Sequence, residues 1–203
     1  RRSLEIELNS ATDNPLVFAE GNEVLSGGNF HGQPLAIALD IVGIAVAQLG
    51  GIAERRIQRL VYPTLSELPA CLTREAGLSS GLMMAQVTAA ALASENKGLA
   101  HPGSVDSIPT SNQEDFVSMS MGTALKAKQL ADNVKTILAV ELLCACQGID
   151  LLAPLKTGRL AQQAHAAVRR VAAELTSDRP LSPDIVAVRE LISTRTFQKL
   201  LSP

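Results

Sequence analysis

The chain is 203 residues long, 46% hydrophobic and 19% charged, with 18 Lys and Arg against 20 Asp and Glu. That balance is globular and long enough for one domain with a sizeable core or for two small ones. A net charge of −2 and a pI near 5.9 exclude a global basic footprint for nucleic acid. Aromatic residues make up only 2%, with one Tyr, four Phe and no Trp, so platforms for stacking bases or sugars are poorly supplied and the core must be aliphatic. Cys71, Cys144 and Cys146 form an odd set without repeated spacing, which argues against a disulfide framework and for a reducing compartment, the cytoplasm.

The chain opens Arg1-Arg2-Ser3-Leu4-Glu5, without an initiator Met or a charged-then-apolar leader. It reads as a fragment or a processed product. Residues 3–8 are too short to assign. The turn formers Asn9 to Asn14 end at Pro15, which biases Asn14 towards extended backbone. Leu16-Val17-Phe18 and Glu23-Val24-Leu25 flank Gly21-Asn22 and predict a small hairpin, the only strands expected.

Residues 35–53 are an apolar run broken only by Asp40 and Gln48. Its length reaches the roughly 18 residues of a membrane span. A central Asp would cost about 2.5–3.5 kcal/mol there, so a helix buried on nearly all sides within protein is the better reading. Gly43, Ala47 and Gly51 recur every four residues and predict one face of close helix approach. The helix turns polar through Glu54-Arg55-Arg56 and stops before Pro63. A loop-rich stretch to about Ser80 precedes an Ala-rich helix over 81–100, ended by His101-Pro102-Gly103-Ser104. From Ser111 to about Gln147 there is no Pro and one Gly, and apolar positions cover more than one stripe. Such a helix would be on the order of 50 Å long, too long for a compact globule of this size. Further helices are expected over 159–176 and from Ser182, with Ser182 as N-cap and Pro183 at the first helical position.

There is no 20–50-residue repeat, low-complexity tract or linker. The fold expected is all-α, a single unit over 1–203 of long helices in a bundle with one small hairpin. So much apolar helix implies an oligomer or a missing partner segment.

No self-contained catalytic or metal motif is present. Cys144 and Cys146, two apart on a helix, face different directions and read as structural. His31, His101 and His165 are scattered. Two segments break the helical economy. Ser26-Gly27-Gly28-Asn29-Phe30-His31-Gly32-Gln33-Pro34 is either a helix entry loop or a loop built for close approach to a polar ligand at a helix N-terminus. Thr110-Ser111-Asn112-Gln113-Glu114-Asp115-Phe116 contains a Ser-x-x-Glu capping box. Consecutive polar groups at the start of a buried helix also need partners, which a substrate pocket would supply.

Read with Asn9-Ser10-Ala11-Thr12-Asp13-Asn14-Pro15 and Glu54-Arg55-Arg56-Ile57, these segments resemble, in order, the aromatic amino acid lyase family, and within it the histidine-specific members. His101 to Thr110 and Ala145 to Asp150 carry the same resemblance, which covers essentially the whole chain. It implies a homotetramer of long helices with active sites shared between subunits. It also implies a 4-methylideneimidazole-5-one prosthetic group made from an internal Ala-Ser-Gly. This sequence contains no Ala-Ser-Gly. The chain therefore resembles the C-terminal part of a lyase, whose N-terminal part carries the electrophile, the tyrosine cast as base and the arginine that holds the substrate carboxylate.

By the same resemblance, Asn14 matches the asparagine close to the electrophilic group, and Phe30 the phenylalanine packed over that group and the substrate. Glu114 matches the glutamate that histidine-specific members place near the imidazole, with Gln113 as its polar neighbour. Phenylalanine- and tyrosine-specific members usually carry Asn-Gln-Asp there. The sequence departs from the histidine-specific pattern at two points: Ser111 runs straight into Asn112, and Phe116 stands where a His is common. The implied activity is elimination of ammonia from L-histidine to give urocanate, with this chain alone inactive and with no metal, nucleic acid or membrane partner. The alternatives are a phenylalanine or tyrosine ammonia-lyase or aminomutase, or a non-catalytic helical assembly module when isolated.

Overall fold

Leu16 to Phe18 (β1) and Glu23 to Leu25 (β2) pair antiparallel, Val17 opposite Val24, around the left-handed Asn22, as the turn residues predict. The computed structural model describes residues 1–105 and 115–201. Among these, β1 and β2 form the only named sheet, and the rest of the regular structure is helical. A short helix α1 (Arg2–Leu8) precedes the hairpin. After it come α2 (Gln33–Val61), α3 (Pro63–Ser66), a 3₁₀ turn at Ala70–Leu72 and α4 (Met83–Leu99). They are followed by α5 (Ser120–Leu151), α6 (Arg159–Arg169), α7 (Ser182–Ser193) and α8 (Thr196–Leu201). Residues 1–45 with 98–130 make one compact unit, and 46–97 with 131–203 a second.

The expected helix from Ser111 to Gln147 is corrected at its start. Asp115 to Met119 are not helical, and Met119 sits at φ 52°, a left-handed backbone that an α-helix cannot propagate through. The helix α5 begins at Ser120 and runs on to Leu151. The helix expected over 159–176 ends at Arg169, whose guanidinium turns back onto the carbonyls of Ala172 and Ala173. Ser182 is the first residue of α7 and not its cap, because Leu181 holds the cap position. The helical turns at Pro63–Ser66, Ala70–Leu72 and Thr196–Leu201 are too short to leave a periodic signal.

Within this chain α2 is not buried on nearly all sides. Ile37, Ile41, Val42, Ile44, Leu49 and Ile52 are exposed, while Ala36, Asp40 and Gly43, then Gly50, Ala53, Glu54, Ile57 and Val61, are buried. It is the one helix, among the described residues, long and apolar enough to cross a membrane. Of the expected close-approach positions Gly43 is buried, but Gly51 is not the one that packs closely. A Cβ at Gly51 would meet nothing within 4 Å, whereas one on Gly50 would lie 2.9 Å from Val134 Cγ2.

In the second unit α5 carries two buried stripes. Ile137, Val140 and Cys144 face Ala53, Ile57 and Val61 of α2, Leu72, and Leu82, Ala85 and Ala89 of α4. Ala139, Leu143 and Cys146 face Val168, Ala172 and Val188. Each fully buried Ile or Leu contributes about 1.5–3 kcal/mol. The two cysteines therefore do face different directions, each inside its own apolar cluster, and burial pushes the Cys144 thiol up to about 12 and that of Cys146 to about 11. Gln147, 2% exposed, joins the layers: its Oε1 accepts Leu175 N–H at 3.0 Å, and its Nε2 donates to the carbonyls of Leu72 and Leu175. Asp150 holds both His165 Nε2, at 2.7 Å, and Arg169.

Candidate functional site

Two of the segments singled out in the sequence, residues 9–15 and 26–34, meet in the first unit. Asn14 Oδ1 accepts the N–H of Gly27 at 3.1 Å, and Asn29 Nδ2 donates to the carbonyl of Ala11. Thus the Thr12-Asp13-Asn14 turn and the glycine-rich loop, which flank the hairpin, are closed on each other. Asp13 Oδ1 accepts the Asn14 N–H at 2.8 Å, fixing the turn locally. Neither Gly27 nor Gly28 has crowding around the position of a Cβ, so the backbone there is open to approach.

Phe30 follows in a turn closed by His31 N–H donating to Gly28 O at 3.1 Å, and the residue is 52% exposed. His31 then crosses to the far segment. Its Nε2 lies 2.8 Å from the backbone carbonyl of Phe116, and its ring stacks on that of Phe116 with centroids 5.2 Å apart and planes 3° from parallel. A carbonyl only accepts, so Nε2 carries the hydrogen. Gly32 has φ 76°, and a Cβ there would sit 2.8 Å from Ser120 Oγ. Glycine is required on both counts.

The His101-Pro102-Gly103-Ser104 turn is latched from below. Asp40 accepts the N–H of Gly103 at 3.2 Å and of Ser104 at 2.8 Å, and Gln33 Nε2 donates to Ser104 O at 3.0 Å. Lys126 donates to the His101 carbonyl. Burial pushes the Asp40 carboxyl up, but the Ser104 hydroxyl and amide, the Gly103 amide and the Lys126 charge outweigh it and hold it below the usual carboxylate range.

Asn14 and Phe30 thus lie on one closed loop pair. Gln113 and Glu114, with Ser111 and Asn112, lie outside the described residues. Two participants escaped the sequence reading. His31 was one of three scattered histidines, and Asp40 served only as an argument against a membrane span. A lone charge inside an apolar helix was the signal for the second. The first had none beyond its place beside Phe30.

A cleft of about 720 Å³ in the second unit is lined by Met84, Ile185 and Val186. Its charged residues are engaged: Asp178 accepts the N–H groups of Ser80 and Gly81, and Arg179 is bound by Asp184 and the Ala173 and Glu174 carbonyls. Both charged side chains of this cleft are thus spent on the fold, whereas the loops of the first unit carry the motifs singled out in the sequence. Among the described residues no group of three or more His, Cys, Asp or Glu could hold a metal.

The pattern that defines the aromatic amino acid lyases matches residues 1–170. The chain is 58% identical over 190 residues to a histidine ammonia-lyase of Symbiobacterium thermophilum, covering 93% of this chain and 38% of that enzyme. It superposes on the crystal structure of histidine ammonia-lyase from Trypanosoma cruzi with a TM-score of 0.92 at 52% identity, over 98% of this chain and 39% of that one. The tyrosine aminomutase of Streptomyces globisporus matches with a TM-score of 0.90 at 42% identity, over 98% and 38%. The chain therefore spans well under half the length of the relatives it matches. With the motifs in order, the loops closed on one another and the match running through 170 residues, the chain belongs to the aromatic amino acid lyase family.

Proposed function

We propose that the chain is the C-terminal helical part of a histidine ammonia-lyase, acting in the cytoplasm as a homotetramer that eliminates ammonia from L-histidine to give urocanate. The observation that carries the reading is identity of 52–58% to histidine ammonia-lyases over more than nine-tenths of this chain. In the reaction the β-carbon loses a proton, the α-carbon loses its amine, and a carbon–carbon double bond forms between them.

The family's prosthetic group, 4-methylideneimidazole-5-one, supplies an electrophile that makes the amine a competent leaving group. The described residues fit such a neutral heterocycle. With its Oδ1 taken by Gly27 N–H, Asn14 has Nδ2 left as its donor end; Phe30 offers an apolar ring face, and Gly27 and Gly28 leave the approach open. Asn14 would hold the group by a hydrogen bond, and Phe30 would cover it and the substrate. Glu114, as the catalytic residue of this chain, would accept an N–H of the substrate imidazole in a charge-assisted bond, with Gln113 beside it. The base and the arginine for the substrate carboxylate would come from outside these 203 residues.

The tetramer reading is supported by the exposed Ile37, Ile41 and Ile44 of α2, and the cytoplasmic one by three free cysteines. A second reading, a tyrosine or phenylalanine lyase or aminomutase, rests on the likeness to tyrosine aminomutase. Phe116 does not favour it, because its ring is stacked on His31. Isolated, the chain would be a non-catalytic helical module, since it contains no Ala-Ser-Gly.

The test is to assay the full-length source protein and the 203-residue chain with histidine, phenylalanine and tyrosine. Urocanate should form only with the full-length protein. Turnover of tyrosine in place of histidine would favour the second reading, and urocanate from the purified chain alone would overturn the division of labour.

A further inference from the structure

Phe30 sits between three glycines, Gly27, Gly28 and Gly32, the residue type with the most backbone freedom to lose. A ring meant to lie against a ligand needs that freedom removed. Two anchors do so. On the N-terminal side Asn14 and the Ala11 carbonyl hold Gly27 and Asn29. On the C-terminal side His31, next to Phe30, reaches Phe116, 85 residues away, and Gln33, at the start of α2, reaches Ser104. His31 grips in two ways at once, through the Nε2–H donated to the Phe116 carbonyl and through the parallel rings. Gly32 then packs against Ser118 and Ser120, so the loop meets the start of α5 without a gap.

We propose that His31 is a positioning residue, one that fixes Phe30 for the amino acid substrate by clasping Phe116, and touches no substrate itself. This rests on the lyase reading above. A phenyl ring over a substrate contributes binding that the ground and transition states share, so its misplacement raises KM more than it lowers kcat. The clasp also gives Phe116 a task outside the pocket.

The experiment uses the full-length enzyme with His31→Leu, His31→Gln, Phe30→Ala and the Phe30→Ala, His31→Leu pair. His31→Leu should raise KM for histidine about tenfold with kcat changed less than threefold. His31→Gln keeps an N–H donor for the Phe116 carbonyl and should recover most of the loss. In the Phe30→Ala background, His31→Leu should add less than a twofold change, since it acts through a ring no longer there. If His31→Leu does not assemble, His31→Phe, which keeps the ring and loses the donor, replaces it against His31→Gln in the same cycle. A KM within twofold of the parent, or a full and independent loss in the Phe30→Ala background, overturns the proposal. Failure of Gln to recover KM does so as well, since the donor is then not what matters. A parent enzyme inactive on histidine, phenylalanine and tyrosine overturns the lyase reading and this one with it. An active parent with unmoved variants overturns this one alone.

Discussion

The carboxylate of Asp40 receives the backbone N–H of Ser104 at 2.8 Å, and that bond explains a charge in the middle of an otherwise apolar helix. Asp40 is 8% exposed, and two adjacent amides, Gly103 and Ser104, converge on its two oxygens. An unpaired carboxylate in that position would cost several kcal/mol, and here each oxygen is matched by an amide.

Asp40→Asn places an NH₂ where one amide needs an acceptor. The expected loss in the full-length enzyme is on the order of 1–3 kcal/mol, the cost of one buried unpaired donor. The sign with pH follows from the lowered pKa. The carboxylate's contribution is complete above the ordinary value of 3.8 and fades as pH falls through its lower folded value. Melting temperatures of parent and Asp40→Asn should therefore differ at pH 7 and draw together below pH 3.8.

Two neighbouring glycines of α2 should respond oppositely to alanine. At Gly50 the new methyl would lie 2.9 Å from Val134 Cγ2 and 3.3 Å from Asn96 Nδ2, both in a buried layer. Overpacking of about 1–3 kcal/mol there outweighs a helix-propensity gain of about 1 kcal/mol. At Gly51 nothing lies within 4 Å, so Gly51→Ala keeps the propensity gain within this chain. Thermal unfolding of the two variants of the isolated chain checks the contrast.

Glu114→Gln in the full-length enzyme separates a structural carboxylate from a substrate one. Asp115 to Met119 are not helical, so the Ser111–Glu114 box does not open α5, and Gln, matching Glu in size, should change stability by less than about 1 kcal/mol. If the carboxylate holds the substrate imidazole, histidine turnover should fall roughly 10²-fold or more, as expected for an acid–base group. Paired melting and urocanate measurements decide it, and unchanged turnover would remove Glu114 from the substrate site.

The helices and the hairpin were legible because their signals are local. The turn residues of Gly21-Asn22 and the breakers at Pro63 and His101 to Ser104 set boundaries, and the apolar periodicity of α5 was strong enough to show two stripes. The start of α5 was not legible, because Met119 adopts a left-handed backbone that nothing in its side chain announces. The packing face of α2 was legible at Gly43, which is buried, but misplaced by one residue further on, from Gly51 to Gly50. A four-residue repeat drifts round a helix, while the buried positions 36, 40, 43, 50, 54, 57 and 61, joined by 53, are spaced by three, four or seven residues and so keep to one face. At the site, Asn14 and Phe30 were identified through resemblance, and the structure shows Asn14 bound across the hairpin to Gly27, 13 residues away. His31 was invisible, since its partner is 85 residues distant and pairs with it through a backbone carbonyl any residue could offer.

The buried carboxamide of Gln147 ties α5 to backbone groups 75 and 28 residues away, and this bears on how long the protein survives as well as on how stable it is. A side chain on a long local helix can grip such distant amides only after those segments have docked, so its bonds form late. Bonds absent from the transition state act on the rate of leaving the native state and hardly on the rate of reaching it. Gln147→Leu, similar in bulk and unable to bond, should therefore shorten the half-life of the full-length enzyme at elevated temperature about tenfold or more while refolding keeps its pace. Equal slowing of refolding would place this junction among the first parts of the protein to form.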